Sequence, residues 1–88
     1  MRSVEITIRG RVQGVGFRYY TLKVAGELHI TGYIRNKPDG SVFIEAEGEK
    51  QNIESFLMCC RQGPPRAHVE EMQVIDCPPA GYLKFDIR

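Results

Sequence analysis

The stretch Gly10-Arg11-Val12-Gln13-Gly14-Val15-Gly16-Phe17-Arg18 puts three glycines and a terminal arginine where an anion could be held. Glycine lets the backbone take positive φ and approach a ligand closely, so successive N–H groups can turn inward as an anion-binding nest. Arginine adds a planar fork of donors that matches two phosphate oxygens at once. The spacing fits neither the Walker A loop nor the G-x-G-x-x-G dinucleotide fingerprint, so neither nucleotide-binding reading applies. Glycine-rich turns are also common strand-to-helix connections, and the residues alone leave a plain turn and an anion cradle both open. A second polar side chain, Asn36, could serve such a loop only if the fold returned it there. By itself it reads as a strand-end residue making a local turn bond.

The elements that must position these residues are legible in the apolar spacing. Val4, Ile6 and Ile8 alternate with Glu5, Thr7 and Arg9, the period-two pattern of a half-buried strand that is predicted to continue to about Val12. Phe17, Tyr20, Thr21, Val24, Ala25 and Leu28 recur at helical spacing, so a helix begins where the glycine loop ends. Arg18 then falls in its first turn, where the helix dipole favours acids; that mismatch points to a partner anion. Residues 30–37 and 41–47 read as a hairpin of two strands around Lys37-Pro38-Asp39-Gly40, with Val42, Ile44 and Ala46 sharing one face. Ile53, Phe56, Leu57 and Cys60 mark a second helix, which Gly63-Pro64-Pro65 stops near Gln62. Val69, Met72 and Val74 give a fourth strand whose apolar face changes between Val69 and Met72, so a bulge is predicted there. Leu83, Phe85 and Ile87 make a short closing strand. The order βαββαβ plus one strand predicts a ferredoxin-like α+β sandwich: an antiparallel sheet of four or five strands with two helices on one face, in a single domain over residues 1–88.

That topology bears on Asn36. In a right-handed split β-α-β unit the second strand runs parallel to the first. A helix of roughly 12 residues returns about 18 Å, and a strand of roughly six advances about 20 Å. The displacements nearly cancel, so the end of the second strand is predicted beside the glycine loop. Asn36 then sits at a helix N-terminus, where free N–H groups and a partial charge of roughly +0.5 converge on any anion.

Composition narrows the partners. A formal net charge of +1 over 88 residues lacks the concentrated basic surface of a nucleic-acid binder, and the third strand lacks the aromatic pattern of an RNA-binding sheet. No apolar run is long enough to cross a membrane, and the start of the sequence enters a strand pattern without the apolar core of a secretory signal, so a cytoplasmic location is expected. Cys59, Cys60 and Cys77 cannot all pair, and adjacent Cys59 and Cys60 suit neither a relaxed disulfide nor zinc spacing. His29 and His68 have no carboxylate or cysteine at ligand spacing. No metal or cofactor is expected.

In both of that family's signature regions the chain resembles the acylphosphatases. Gly10 to Arg18 carries the first, and Gly32-Tyr33-Ile34-Arg35-Asn36 with Asp39-Gly40 the second; Gly63-Pro64-Pro65-Arg66-Ala67-His68-Val69 and Phe85-Asp86-Ile87 extend the likeness over essentially the whole chain. The resemblance implies hydrolysis of the carboxyl-phosphate anhydride of small-molecule acyl phosphates to a carboxylate and inorganic phosphate, without metal or cofactor. It implies that Arg18 binds the phosphoryl group, that Asn36 positions the attacking water, and that Gln13, Gly14, Val15, Gly16 and Phe17 offer backbone N–H groups to the phosphate oxygens. A monomer is expected. The chemistry tolerates so small a kit: the leaving carboxylate, with a conjugate-acid pKa of roughly 4, departs without a general acid. A loose phosphoryl-transfer transition state asks for an oriented water more than a deprotonated one. Four positions depart from the family pattern: His29-Ile30 replaces a common Gly-Leu pair, Tyr33 a common tryptophan, and Lys37 a threonine or serine. Arg11, Arg35 and Lys37 read as a solvated strand edge, with substrate steering as the alternative. Two other functional readings are an acylphosphatase-like domain within a larger carbamoyl-transfer system and a non-catalytic, anion-binding regulatory module of the same fold.

Overall fold

Alternation builds the first strand as the sequence predicts. In the computed structural model, which describes all 88 residues, Val4, Ile6 and Ile8 are fully buried on one face of β1 (Arg2–Arg11). The loop that follows feeds α1 (Phe17–Glu27), which buries Phe17, Thr21, Val24 and Ala25. β2 (Thr31–Asn36) and β3 (Val42–Gly48) form the hairpin, α2 (Lys50–Gln62) follows, and β4 (His68–Asp76) and β5 (Phe85–Ile87) complete the chain. Val42, Ile44 and Ala46 are buried together on β3, as their alternation requires. With Ile34 of β2 and the Val4, Ile6 and Ile8 row they meet Phe17, Val24 and Ala25 of α1 and Ile53, Phe56 and Cys60 of α2 in one core, so both helices lie on the same face.

The sheet has the order β4-β1-β3-β2-β5. β1 pairs antiparallel with both β3 and β4, and β2 antiparallel with β3. The expectation of an antiparallel sheet holds for those four strands and needs correction at the fifth: β5 pairs parallel to β2. Direction explains it. β4 runs against β1 and so ends at the sheet edge where β1 and β2 begin; a chain crossing along that edge reaches β2 at its start and can only run alongside it. The crossing is pinned by Glu47, a buried carboxylate on the helix-free face that accepts the N–H groups of Ala80, Gly81 and Tyr82. Leu83 precedes the strand and is exposed. The bulge appears where it was expected: Arg9 faces Glu71 and Gly10 faces Val69, which leaves Glu70 without a partner.

β1 and β2 both flank β3 in antiparallel register, so they run the same way. α1, with its 11 residues, returns about 16 Å at ~1.5 Å each. β2, with its six, advances about 20 Å at ~3.3 Å each. The end of β2 thereby comes back to the glycine loop.

Candidate active site

The loop between β1 and α1 makes its turn with two left-handed glycines, Gly14 at φ 73° and Gly16 at φ 81°. A Cβ at either would meet no atom within 4 Å, so backbone conformation and not crowding calls for glycine, and the space above the loop is open. Gly16 is the N-cap of α1; no side chain caps the helix and its first turn carries no acid. The first hydrogen bond of the helix runs from the Tyr20 N–H to the Gly16 carbonyl at 3.0 Å, and the N–H groups from Gln13 to Tyr19 find no backbone acceptor. A row of free donors therefore coincides with the positive end of a helix.

Over this row lies a cleft of about 140 Å³ lined by Val12, Gly14, Gly16, Phe17, Arg18, Tyr19 and Asn36. Val12 and Phe17 are 1% and 2% exposed and form its apolar floor. Arg18 is half-buried, and none of the ion pairs, Arg2–Asp76, Arg9–Asp39, Arg9–Glu71 and Lys84–Asp86, involves it. Across the cleft the Oδ1 of Asn36 is buried and has no hydrogen-bond partner. A buried carbonyl oxygen without a donor costs about 1–3 kcal/mol unless something supplies one. No acid lines the cleft, so its one formal charge is the Arg18 guanidinium.

Of the residues singled out in the sequence, the fold brings Gly14, Gly16, Phe17, Arg18 and Asn36 together. Gln13 and Val15 belong to the loop but not to the lining. Val15 is buried in the core. The Gln13 side chain donates from Nε2 to the carbonyls of Lys37 at 2.8 Å and Ser41 at 2.9 Å. It thus ties the loop to the turn that follows Asn36. That turn is further fixed by Asp39, which accepts from the Ser41 hydroxyl at 2.6 Å and the Ser41 N–H at 2.9 Å. These hydrogen bonds, with Arg9 beside them, hold the Asp39 carboxyl well below the usual carboxylate range.

Tyr19 was not foreseen in the lining. Its signal was present: an aromatic in the first turn of α1 that stands off the apolar stripe of Phe17, Tyr20, Thr21 and Val24. Arg35 and Lys37 do not enter the cleft; they lie over the Phe43 ring at 5.7 and 5.8 Å on the helix-free face. Tyr33 packs there against Phe43 and Tyr82, with ring centroids 6.1 and 5.8 Å away, so it keeps an aromatic packing role. Glu5, Glu45 and Cys77 bring their ligand atoms within 4.8 Å of one another on that same face, remote from the cleft. Cross-strand register makes this grouping, since Glu5 stands opposite Glu45. Burial first, and then Glu5 and its acidic neighbours, push the Cys77 thiol up.

The acylphosphatase family profile matches residues 4–87. The chain belongs to the acylphosphatase family. It is 46% identical over 88 residues to the acylphosphatase of Thermotoga petrophila, covering 100% of this chain and 98% of that protein. The crystal structure of acylphosphatase from Bacillus subtilis superposes with a TM-score of 0.97 at 35% identity, over 100% of this chain and 99% of that one. T. kodakarensis HypF superposes with a TM-score of 0.87 at 31% identity; 100% of this chain is covered but 12% of the HypF chain. The acylphosphatases are thus matched almost end to end, and the reading as a part of a larger carbamoyl-transfer system is not favoured. The function of the chain is that of an acylphosphatase, a hydrolase of the carboxyl-phosphate bond, and its substrate is a small molecule.

Proposed function

We propose that hydrolysis takes place in the cleft over the glycine loop, with Arg18 and the loop N–H groups holding the phosphoryl group and Asn36 orienting the water. The observation that carries this reading is the buried, unpartnered Oδ1 of Asn36 facing a helix terminus whose only nearby charge is an unpaired arginine. Free N–H groups and the guanidinium suit the three non-bridging phosphoryl oxygens, on which the loose transition state spreads its charge. Asn36 accepts a hydrogen bond from the water through Oδ1 and presents its amide to the phosphate, so the nucleophile is aligned without adding negative charge. Water attacks phosphorus as the P–O bond to the carboxylate breaks; the carboxylate leaves as an anion, and the proton of the water passes to phosphate or solvent. A cleft of about 140 Å³ is well short of the roughly 300 Å³ at which sites for drug-sized ligands begin, so it suits a phosphoryl group and a water and leaves the acyl group outside.

The unit acts without metal or cofactor, as a monomeric single domain in the cytoplasm, where the free thiols Cys59, Cys60 and Cys77 stay reduced. The test is turnover of benzoyl phosphate with and without EDTA by the wild type and by Arg18→Gln and Asn36→Ala. EDTA should leave the wild type unaffected. Each substitution should lower kcat by about 100-fold or more, the scale of losing an oxyanion-stabilising group, with the far-ultraviolet circular dichroism retained. Near-wild-type activity in Asn36→Ala would remove it from the water-orienting role.

A further inference from the structure

We infer that Tyr19 is a specificity-determining platform for the acyl group and that the preferred substrates are acyl phosphates with aromatic or bulky apolar acyl groups. This rests on the proposed placement of the phosphoryl group over the glycine loop. The cleft is too small for more than the phosphoryl group and its water. With the water on the Asn36 side, in-line displacement sends the carboxylate away from Asn36 and towards the open mouth.

What the acyl group meets there follows by elimination among the lining side chains. Gly14 and Gly16 have none. Val12 and Phe17 are committed to the core, 1% and 2% exposed. Arg18 is engaged with the phosphoryl group and Asn36 with the water. Tyr19 remains, 72% exposed and one residue beyond Arg18 in the first turn of α1. The aromatic pairs, Phe17–Tyr20, Tyr33–Phe43, Tyr33–Tyr82 and Phe56–Phe85, do not include it, so its ring faces are free. The other large exposed apolar side chains, Met1, Met58, Ile75 and Leu83, lie outside the cleft. A tyrosine ring, with only two side-chain torsions to fix, offers apolar area at little entropic cost and pairs well with a second ring. An acetyl group is too small to cover it.

The experiment compares benzoyl phosphate with acetyl phosphate in wild type, Tyr19→Ala and Tyr19→Phe, with inorganic phosphate as competitive inhibitor. Wild type should favour benzoyl phosphate in kcat/KM. Tyr19→Ala should cut the benzoyl-to-acetyl ratio by about threefold to tenfold, the scale of one aromatic contact, through KM for the benzoyl substrate. Tyr19→Phe should keep the wild-type ratio. The inhibition constant of phosphate, which has no acyl group, should not move; a general disturbance of the helix terminus would shift it along with both substrates. An unchanged ratio in Tyr19→Ala, or equal losses on both substrates, overturns the platform while leaving Arg18 and Asn36 in place. Undiminished turnover in Arg18→Gln displaces the reaction from this cleft and removes the platform with it.

Discussion

At the scale of single residues, Asn36 and Arg18 are each unusual for what they lack. The guanidinium has no carboxylate partner although four ion pairs form elsewhere, and Oδ1 of Asn36 has no donor. A structural arginine or asparagine is normally satisfied by the protein; two unsatisfied groups in one cleft leave their partners to the ligand. In the proposed arrangement the neutrality of Asn36 is a requirement, because a carboxylate there would face the phosphate. Asn36→Asp, nearly the same in shape, should therefore weaken competitive inhibition by phosphate at pH 7. The inhibition should return as the pH falls towards about 4, where an ordinary aspartate takes up its proton. Inhibition constants measured across that range decide it: a value at pH 7 equal to that of the wild type would mean that Asn36 does not approach the phosphate.

At the scale of elements, the site depends on a turn as much as on a loop. Asn36 ends β2, and the turn after it is held from two sides, by the Gln13 amide on the Lys37 and Ser41 carbonyls and by Asp39 on Ser41. The depressed acidity of Asp39 turns this into a pH dependence. Its folded pKa lies below the unfolded value of about 3.9, so its support is present above that value and is lost as the pH falls through the folded one. Wild type should lose melting temperature on the acid side more steeply than Asp39→Asn, which has no proton to take up; parallel acid limbs in the two melting curves would deny Asp39 this part. Most of the elements could be read in the sequence because period-two and helical spacing report burial directly, and the crossover that returns Asn36 to the loop follows from the element order. What could not be read is made by contacts distant in sequence. The side-chain role of Gln13 needs the turn of another hairpin, and the parallel entry of β5 needs the Glu47 carboxylate to catch Ala80, Gly81 and Tyr82. His29 also lies outside pattern: it sits at φ 56° just past α1, a left-handed position at which glycine, the residue common in the family, would be unstrained.

At the scale of the whole molecule, one core fixes the distance between the two halves of the site. β1 delivers the loop and β2 delivers Asn36, with β3 hydrogen-bonded between them and α1 packed beneath. Phosphate bound in the cleft would touch groups from the loop, the helix and the end of β2 at once, and such a set exists only in the folded chain. Its binding free energy must therefore appear as stability, growing as RT ln(1 + [L]/Kd), about 2.7 kcal/mol at a hundredfold excess over Kd. Thermal unfolding in rising phosphate should show a melting temperature that climbs with the logarithm of concentration above Kd. Chloride at equal ionic strength should not reproduce the climb, because screening of surface charge is shared by both salts. Arg18→Gln should abolish the slope while Tyr19→Ala preserves it, since the first removes the proposed phosphate ligand and the second only the surface beyond it. A slope in Arg18→Gln equal to that of the wild type would place phosphate elsewhere on the protein, and no climb in the wild type at millimolar phosphate would count against the cradle.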